Sequence, residues 1–65
     1  MNTTNEEFLA AVALYTAEFE KFEVKGVAAS AARARKALGD IGKLSKSLRA
    51  QIQETKLARA AAKTA

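Results

Sequence analysis

Large apolar residues recur along the first third of the chain at alternating spacings of four and three. They are Phe8, Val12, Tyr15, Phe19 and Phe22. This heptad pattern places all of them on one side of a helix, whereas a strand would show alternation by two. No polar groups converge on the pattern, so it predicts a packed seam rather than a cofactor site. Thr4 with Glu7, or Thr3 with Glu6, fits a capping box, and a first helix is expected over residues 4–24.

A turn and a second helix follow. Lys25 and Gly26 are typical of a helix C-terminus, because glycine adopts the left-handed conformation easily and lysine suits the negative end of the helix dipole. The turn is expected over residues 25–27 and the second helix over residues 28–57. The seam of this helix consists of Val27, Ala31, Ala34, Leu38, Ile41, Ser45, Leu48 and Ile52, with Leu44 beside it. So short a turn predicts an antiparallel hairpin in which the longer second helix extends beyond the first.

Length and composition favour self-association. The 65 residues form one small domain, and a chain of this size buries too little surface to be stable without a covalent staple, a metal or a partner. The sequence contains no cysteine and no histidine, so neither a disulfide nor an ordinary zinc site is expected. The expected fold class is all-α: a two-helix antiparallel hairpin with a longer basic second helix, which forms a homodimeric helical bundle through its seams.

Charge is distributed unevenly along the chain. Residues 1–25 carry five glutamates and two lysines, a net charge of −3, whereas residues 26–65 carry nine cations and two acids, a net charge of +7. On the second helix the cations lie on the side opposite the seam or flank that side. Such an arrangement predicts binding to a polyanion, because Arg and Lys bind phosphate oxygens and binding releases counterions.

The expected polyanion is double-stranded DNA, bound without sequence preference. The basic side carries no set of Asn or Gln residues for reading base edges, and no aromatic residue lies among the cations to stack on the bases of a single strand. Contacts are therefore expected with phosphates. The candidate DNA-binding residues are Arg33, Arg35, Lys36, Lys43, Lys46, Arg49, Lys56 and Arg59.

The sequence leaves two features of the second helix open: the role of its two glycines and the conformation of its C-terminal end. Gly39 and Gly42 each cost about 1 kcal/mol relative to alanine in a helix, and they indicate either close approach of another helix or a phosphate, or simple tolerance of glycine. Residues 58–65 read ARAAAKTA, which predicts a basic tail that is either a fraying helix or disordered. In a helix, Lys56, Arg59 and Lys63 would lie on one side.

Several classes of function are disfavoured. The chain has no histidine, no cysteine and no Gly-rich phosphate loop, and Asp40, set among cations, is expected to form local ion pairs. We therefore expect no enzyme activity, cofactor, metal or small-molecule substrate. No apolar run is long enough to cross a bilayer, and the acidic start lacks the positive region of a secretory signal. A cytoplasmic location is expected.

A longer pattern covers the chain from Phe19 to Lys56. It has an aromatic-rich helix end, a Lys-Gly turn, an alanine-rich Arg-x-Arg-Lys segment, leucines with lysines, and an Arg-x-x-Ile-Gln-Glu-x-Lys ending. Its positions are Phe19, Phe22, Lys25, Gly26, Arg33, Arg35, Lys36, Leu38, Lys43, Leu44, Arg49, Ile52, Gln53, Glu54 and Lys56. This pattern resembles the small linker-histone-like nucleoid proteins first known from chlamydiae, and their short relatives in other bacteria.

The resemblance implies a nucleoid-associated protein that binds DNA with little sequence preference and compacts the chromosome. The DNA contacts that it implies are Arg33, Arg35, Lys36, Lys43 and Arg49. The chain departs from the family at three places. Val27 stands where a polar residue often follows the turn glycine, Gly39 and Gly42 stand where better helix formers are usual, and the long Lys-, Ala- and Pro-rich tail of the chlamydial proteins is missing. Condensation by a flexible tail is therefore not implied.

Two other functions are compatible with a basic hairpin. One is a helical protein-interaction module whose basic face docks an acidic protein, and competition by mixed-sequence duplex DNA distinguishes it from a DNA-binding protein. The other is a basic amphipathic helix lying on an anionic membrane. The membrane alternative is disfavoured because the apolar side lacks tryptophan and is already used for packing against the first helix.

Overall fold

A computed structural model describes residues 2–62 in full and the backbone of residues 63 and 64. The first helix, α1, spans Thr3–Lys25, and the second, α2, spans Ala28–Thr64. The two helices pack antiparallel into a rod of 58 × 16 × 15 Å, which confirms the predicted all-α hairpin. The side chain of Lys63, which was predicted to align with other tail cations, lies outside the described residues.

The N-terminus of α1 is capped by Asn2 rather than by the predicted threonine. The Oδ1 atom of Asn2 accepts a hydrogen bond from the backbone N–H of Asn5 at 3.1 Å, as an N-cap side chain does for the third helical residue. The predicted capping boxes are wrong because the N-cap lies one residue before Thr3 and two residues before Thr4. Thr4 instead directs its hydroxyl to α2, where Oγ1 accepts from Gln51 Nε2 at 2.9 Å.

The turn is the feature that the sequence predicted best. Gly26 adopts the left-handed conformation (φ 68°, ψ 26°), and its N–H donates to the carbonyl of Phe22 at 3.2 Å, while the N–H of Val27 donates to the carbonyl of Lys21 at 3.2 Å. These bonds satisfy carbonyls that the end of α1 would otherwise leave unpaired. The N–H of Ser30 in turn donates to the carbonyl of Val27. The apolar side chain of Val27 cannot cap the start of α2.

The two helices meet along one row of positions on each, which we call the facing row. On α1 its buried and half-buried members are Thr4, Phe8, Ala11, Tyr15 and Glu18. On α2 they are Ser30, Ala34, Ala37, Ile41, Leu44, Leu48 and Gln51. Both rows keep the spacing of four and three. The predicted seam therefore had the right period, but the facing row lies one residue away from it at several positions, with Glu18 in place of Phe19 and Ala37 in place of Leu38.

Two long edges flank the facing rows, and they differ in chemistry. Residues one position after every second facing residue (Thr4, Ala11 and Glu18 of α1; Ser30, Ala37, Leu44 and Gln51 of α2) form an edge that carries no charge. We call it the apolar edge: Asn5, Val12 and Phe19 of α1 with Ala31, Leu38, Ser45 and Ile52 of α2. Residues one position before the other facing residues (Phe8 and Tyr15 of α1; Ala34, Ile41 and Leu48 of α2), continued at the same interval of seven, form the charged edge: Glu7, Leu14 and Lys21 of α1 with Arg33, Asp40, Ser47 and Glu54 of α2. Each set recurs every seven residues and so lies along one side of its helix. Because the two helices are antiparallel, positions that follow the facing row on α1 and on α2 lie on the same edge of the hairpin, and positions that precede it lie on the other edge.

Candidate nucleic-acid interface

The outward side of α2, opposite its facing row, carries a continuous series of cations. We call this surface the basic face, and its members are Arg35, Lys36, Lys43, Lys46, Arg49 and Lys56. All of them are exposed. Within the described part of the chain no carboxylate lies within ion-pair distance of any of them, and the two acids of α2, Asp40 and Glu54, lie on the charged edge. The cations are therefore available to an external anion.

The basic face is rigid and long because it lies on one uninterrupted helix. From Arg35 to Lys56 the helix rises by about 32 Å at 1.5 Å per residue. Exposed Gly39 and Gly42 lie within this length, and a Cβ built at either position would meet no atom within 4 Å. The packing of the hairpin therefore does not require glycine at either position. Arg59, the remaining candidate, is exposed on the part of α2 that extends beyond α1.

Arg33 differs from the other candidate residues because it is bound to α1. Its Nε donates to both carboxylate oxygens of Glu18, at 3.0 Å to Oε1 and 2.9 Å to Oε2, and its Nη2 donates to Ser30 Oγ at 3.3 Å. The Arg33 side chain is still 53% exposed. Lys21 Nζ lies 3.7 Å from Glu18 Oε1 as a second ion partner. Arg33 thus links the two helices and presents the rest of its guanidinium at the charged edge.

Glu18 is the buried member of this cluster, with only 3% of its surface exposed. Hydrogen bonding from Arg33 is the main influence that lowers the pKa of the Glu18 carboxyl. Burial acts in the opposite direction because it disfavours the charged form, while the charges of Arg33 and Lys21 and a hydrogen bond from Ser30 lower the pKa further. The carboxylate form is therefore favoured, and Glu18 holds Arg33 in place.

A second polar contact ties the helices together near the start of α1. Gln51 Oε1 accepts from Asn2 Nδ2 at 2.8 Å, while Gln51 Nε2 donates to Thr4 Oγ1 at 2.9 Å. Together with the Glu18–Arg33 pair, this contact brackets the packed region and fixes which residues of α2 lie opposite α1. The orientation of the basic face relative to α1 follows from these two contacts.

Sequence periodicity missed Glu18, Ser30 and Gln51, because it searches for apolar residues and these facing positions are polar. One signal was available for Glu18. It stands beside the heptad seam, one residue before Phe19, where charged residues of paired helices commonly form interhelical ion pairs. Its partner Arg33 was identified only as a candidate DNA contact.

The predicted seam residues divide between the facing rows and the apolar edge. Facing positions are occupied by Phe8, Tyr15, Ile41, Leu44 and Leu48, all half-buried. The apolar edge holds Val12, which is half-buried, and Phe19, Leu38 and Ile52, which are exposed; Phe22, near the turn, is also exposed. Tyr15 and Phe19 form a tilted ring pair with centroids 5.6 Å apart, and this pair connects the facing row to the apolar edge.

The family model for the histone H1-like protein Hc1 matches residues 2–58 of this chain, which is most of its length. No curated protein and no solved structure gave a significant match. The matched range contains both helices as far as the end of the packed region, the turn, the Glu18–Arg33 pair and the whole basic face.

Proposed function

Since this chain belongs to the histone H1-like Hc1 family, we propose that it binds double-stranded DNA without sequence preference, through phosphate contacts made by its basic face. Family membership makes it a histone-like DNA-binding nucleoid protein in general, from a family of structural proteins rather than enzymes. We further propose that the protein prefers duplex DNA, contacts its phosphates, forms a homodimer and bridges or compacts the DNA. No helix among the described residues combines the length and hydropathy needed to cross a bilayer.

The observation that carries the proposal is the separation of charge on α2. Its outward side carries six exposed cations, the basic face, and no acid. Phosphate binding by such a face releases counterions from DNA, which supplies affinity that does not depend on sequence. The face offers neither a set of amide side chains for base edges nor aromatic rings for stacking, so binding to the sugar–phosphate backbone is the mode that it supports.

Salt dependence tests the mechanism. If about six phosphates are contacted by each chain, the logarithm of the association constant should fall against the logarithm of salt concentration with a slope near −5. Fluorescence anisotropy with a short mixed-sequence duplex at rising NaCl concentrations measures this slope. An affinity that does not change with salt would contradict an electrostatic mechanism.

A pair of double variants with equal charge loss tests the location of the site. Lys43→Gln with Lys46→Gln removes two cations from the basic face and should reduce the magnitude of the slope by about 2, at about 0.9 for each phosphate contact. Lys21→Gln with Lys25→Gln removes two cations from α1 and should leave the slope unchanged. Equal effects of the two variants would show that net charge, and not the basic face, governs binding.

The protein-interaction alternative predicts a different result in the same assay. A module that docks an acidic protein would show at most weak binding to mixed-sequence duplex, and that duplex would not displace its protein partner. Replacement of Arg35, Lys36, Lys43 and Lys46 by Gln should abolish DNA binding while circular dichroism shows unchanged helicity. Loss of helicity in this variant would assign these residues a structural role.

A further inference from the structure

We propose that a second copy of this chain packs against the apolar edge, with α1 of each chain beside α2 of the other, so that the two basic faces point in opposite directions. This inference rests on the proposed function for its consequence on DNA. The arrangement of the two chains itself follows from the packing and charge of the hairpin.

One hairpin leaves its apolar residues insufficiently covered. Among the described residues, the buried apolar side chains are those of Ala34 and Ala37. Leu38 and Ile52 on the apolar edge remain 48% and 66% exposed. A domain of this length needs additional burial to be stable, and the apolar edge is the long side of the hairpin where it can be gained without burying a charge.

The direction of the heptad seam also favours a second hairpin at the apolar edge. Its members alternate between the facing row, with Tyr15 and Ile41, and the apolar edge, with Val12 and Leu38. The centre of the seam therefore points between the neighbouring helix and the apolar edge. In a four-helix bundle each helix has two neighbours and its seam points to the bundle axis between them. A second hairpin against the apolar edge supplies the missing neighbour of each helix.

The absence of charge on the apolar edge favours a second copy of the chain as its occupant. The apolar edge carries no charge, so it offers nothing to select an acidic or a basic partner. A two-fold contact places the same patch of both chains against itself. One such contact covers the exposed apolar-edge residues of both chains at once, and the edge itself has no charged group to desolvate.

The charges of the outward sides choose between the two possible two-fold arrangements. In one, α1 lies on α1 and α2 lies on α2, which places both basic faces together and the outward acids of α1 (Glu6, Glu20 and Glu23) together. In the other, the two-fold axis runs parallel to the helices and α1 of each chain neighbours α2 of the other. The second arrangement alternates acidic and basic helices and avoids repulsion between like charges. It also places one basic face on each side of the dimer, so that one dimer contacts two duplexes.

Cysteine cross-linking in the absence of DNA tests the arrangement, and the native chain contains no cysteine to interfere. We would prepare full-length Val12→Cys and Leu38→Cys chains, mix and equilibrate them, and treat them with a short bismaleimide. The mixture should yield a cross-linked heterodimer, because α1 of one chain neighbours α2 of the other. Each variant alone should yield no dimer, because identical residues lie diagonally across the bundle.

The charged edge provides a matched control. Leu14 is as exposed as Leu38, at 51%, and Leu14→Cys mixed with Asp40→Cys should not cross-link. Cross-linking of Leu38→Cys alone would show that α2 lies on α2 and overturn the arrangement. Cross-linking across the charged edge, or none in the Val12→Cys and Leu38→Cys mixture, would overturn the choice of edge.

A substitution separates the dimer contact from DNA binding. Leu38→Gln should raise the dimer dissociation constant by about tenfold or more, as for a buried interface residue, whereas Leu14→Gln should leave it unchanged, both measured by sedimentation. In a pull-down with one biotinylated and one fluorescent duplex, wild type should bridge the two, and Leu38→Gln should bridge less while still binding single duplexes. A wild type that binds DNA as a dimer without bridging would refute the opposed basic faces, and a wild type that binds no DNA would refute the proposed function instead.

Discussion

At the scale of single residues, Glu18 is the position where local chemistry has the widest effect on the hairpin. It is a carboxylate in the interface between two helices, and it is stable there because Arg33, Ser30 and Lys21 surround it with donors and positive charge. A buried carboxylate without partners would be strongly destabilising, whereas a well-bonded one fixes a unique alignment of its partners. The pair therefore acts mainly on the register of the two helices.

The lowered pKa of Glu18 predicts acid sensitivity of the hairpin. A group whose pKa is depressed by folding stabilises the folded state above its unfolded pKa, about 4.3 for glutamate, and this contribution is lost as the pH falls through the folded value. We expect the thermal midpoint of wild type to decrease once the pH is lowered below about 4. Melts followed by circular dichroism over a range of pH measure this.

Glu18→Gln provides the control for the acid sensitivity, because glutamine is similar in shape and does not titrate. Its midpoint at neutral pH should be lower than that of wild type, and the difference between the two proteins should shrink as the pH falls. Glu20→Gln, on the outward side of α1, should behave as wild type. A constant difference between Glu18→Gln and wild type at all pH values would contradict the assigned role of the carboxylate.

At the scale of the helices, the sequence was sufficient for the elements and insufficient for their rotation. The spacing of Phe8, Val12 and Tyr15 predicts a helix whichever residues face the partner, and Gly26 ends α1 through its positive φ. The rotation depends on whether Ala37 or Leu38 faces α1. Apolar periodicity fits both choices equally, and the polar contacts of Glu18 and Gln51 that decide between them become visible only in three dimensions.

The three glycines should respond in opposite directions to substitution by alanine. Gly39 and Gly42 lie inside α2 with open space where a Cβ would be, so Gly39→Ala and Gly42→Ala should each stabilise the hairpin by about 1 kcal/mol. Gly26→Ala should destabilise it by about 1 kcal/mol, because φ is 68° there. Urea unfolding measures all three. Destabilisation by Gly39→Ala would show that another molecule approaches the helix backbone at that position.

At the scale of the whole molecule, the proposed function requires the apolar edge and the basic face to lie on different sides of α2. The cations of the basic face project away from the facing row, whereas the apolar edge lies beside that row, so the self-association and the phosphate binding that we propose would use different sides of α2. The sequence predicted this separation from angular position alone, since cations and apolar residues of one helix differ in direction regardless of what each contacts. The sequence could not predict that Arg33 would bind the carboxylate of Glu18 on the other helix, because that contact depends on how the two helices align.

The length of α2 beyond α1 offers a last prediction about the molecule as a whole. Hydrogen bonds between the helices in the described residues reach only as far as Gln51, whereas α2 continues to Thr64. A chain ended after Leu57 loses Arg59 and Lys63, and its formal net charge falls from +4 to +2. Its thermal midpoint should match that of wild type, while the salt slope of DNA binding should decrease in magnitude by about 1 to 2.

The full-length variant Arg59→Gln with Lys63→Gln separates charge from length, because it carries the same charge loss on a complete helix. If the extension contributes to DNA binding only through its cations, the truncated chain and this variant should have equal slopes and equal affinities. A truncated chain that binds DNA more weakly than the charge variant would show that the helix backbone beyond Leu57 also contributes. Arg59 and Lys63 lie past the region matched by the family, residues 2–58, so such a result would add the helix backbone to the contacts predicted for these two cations.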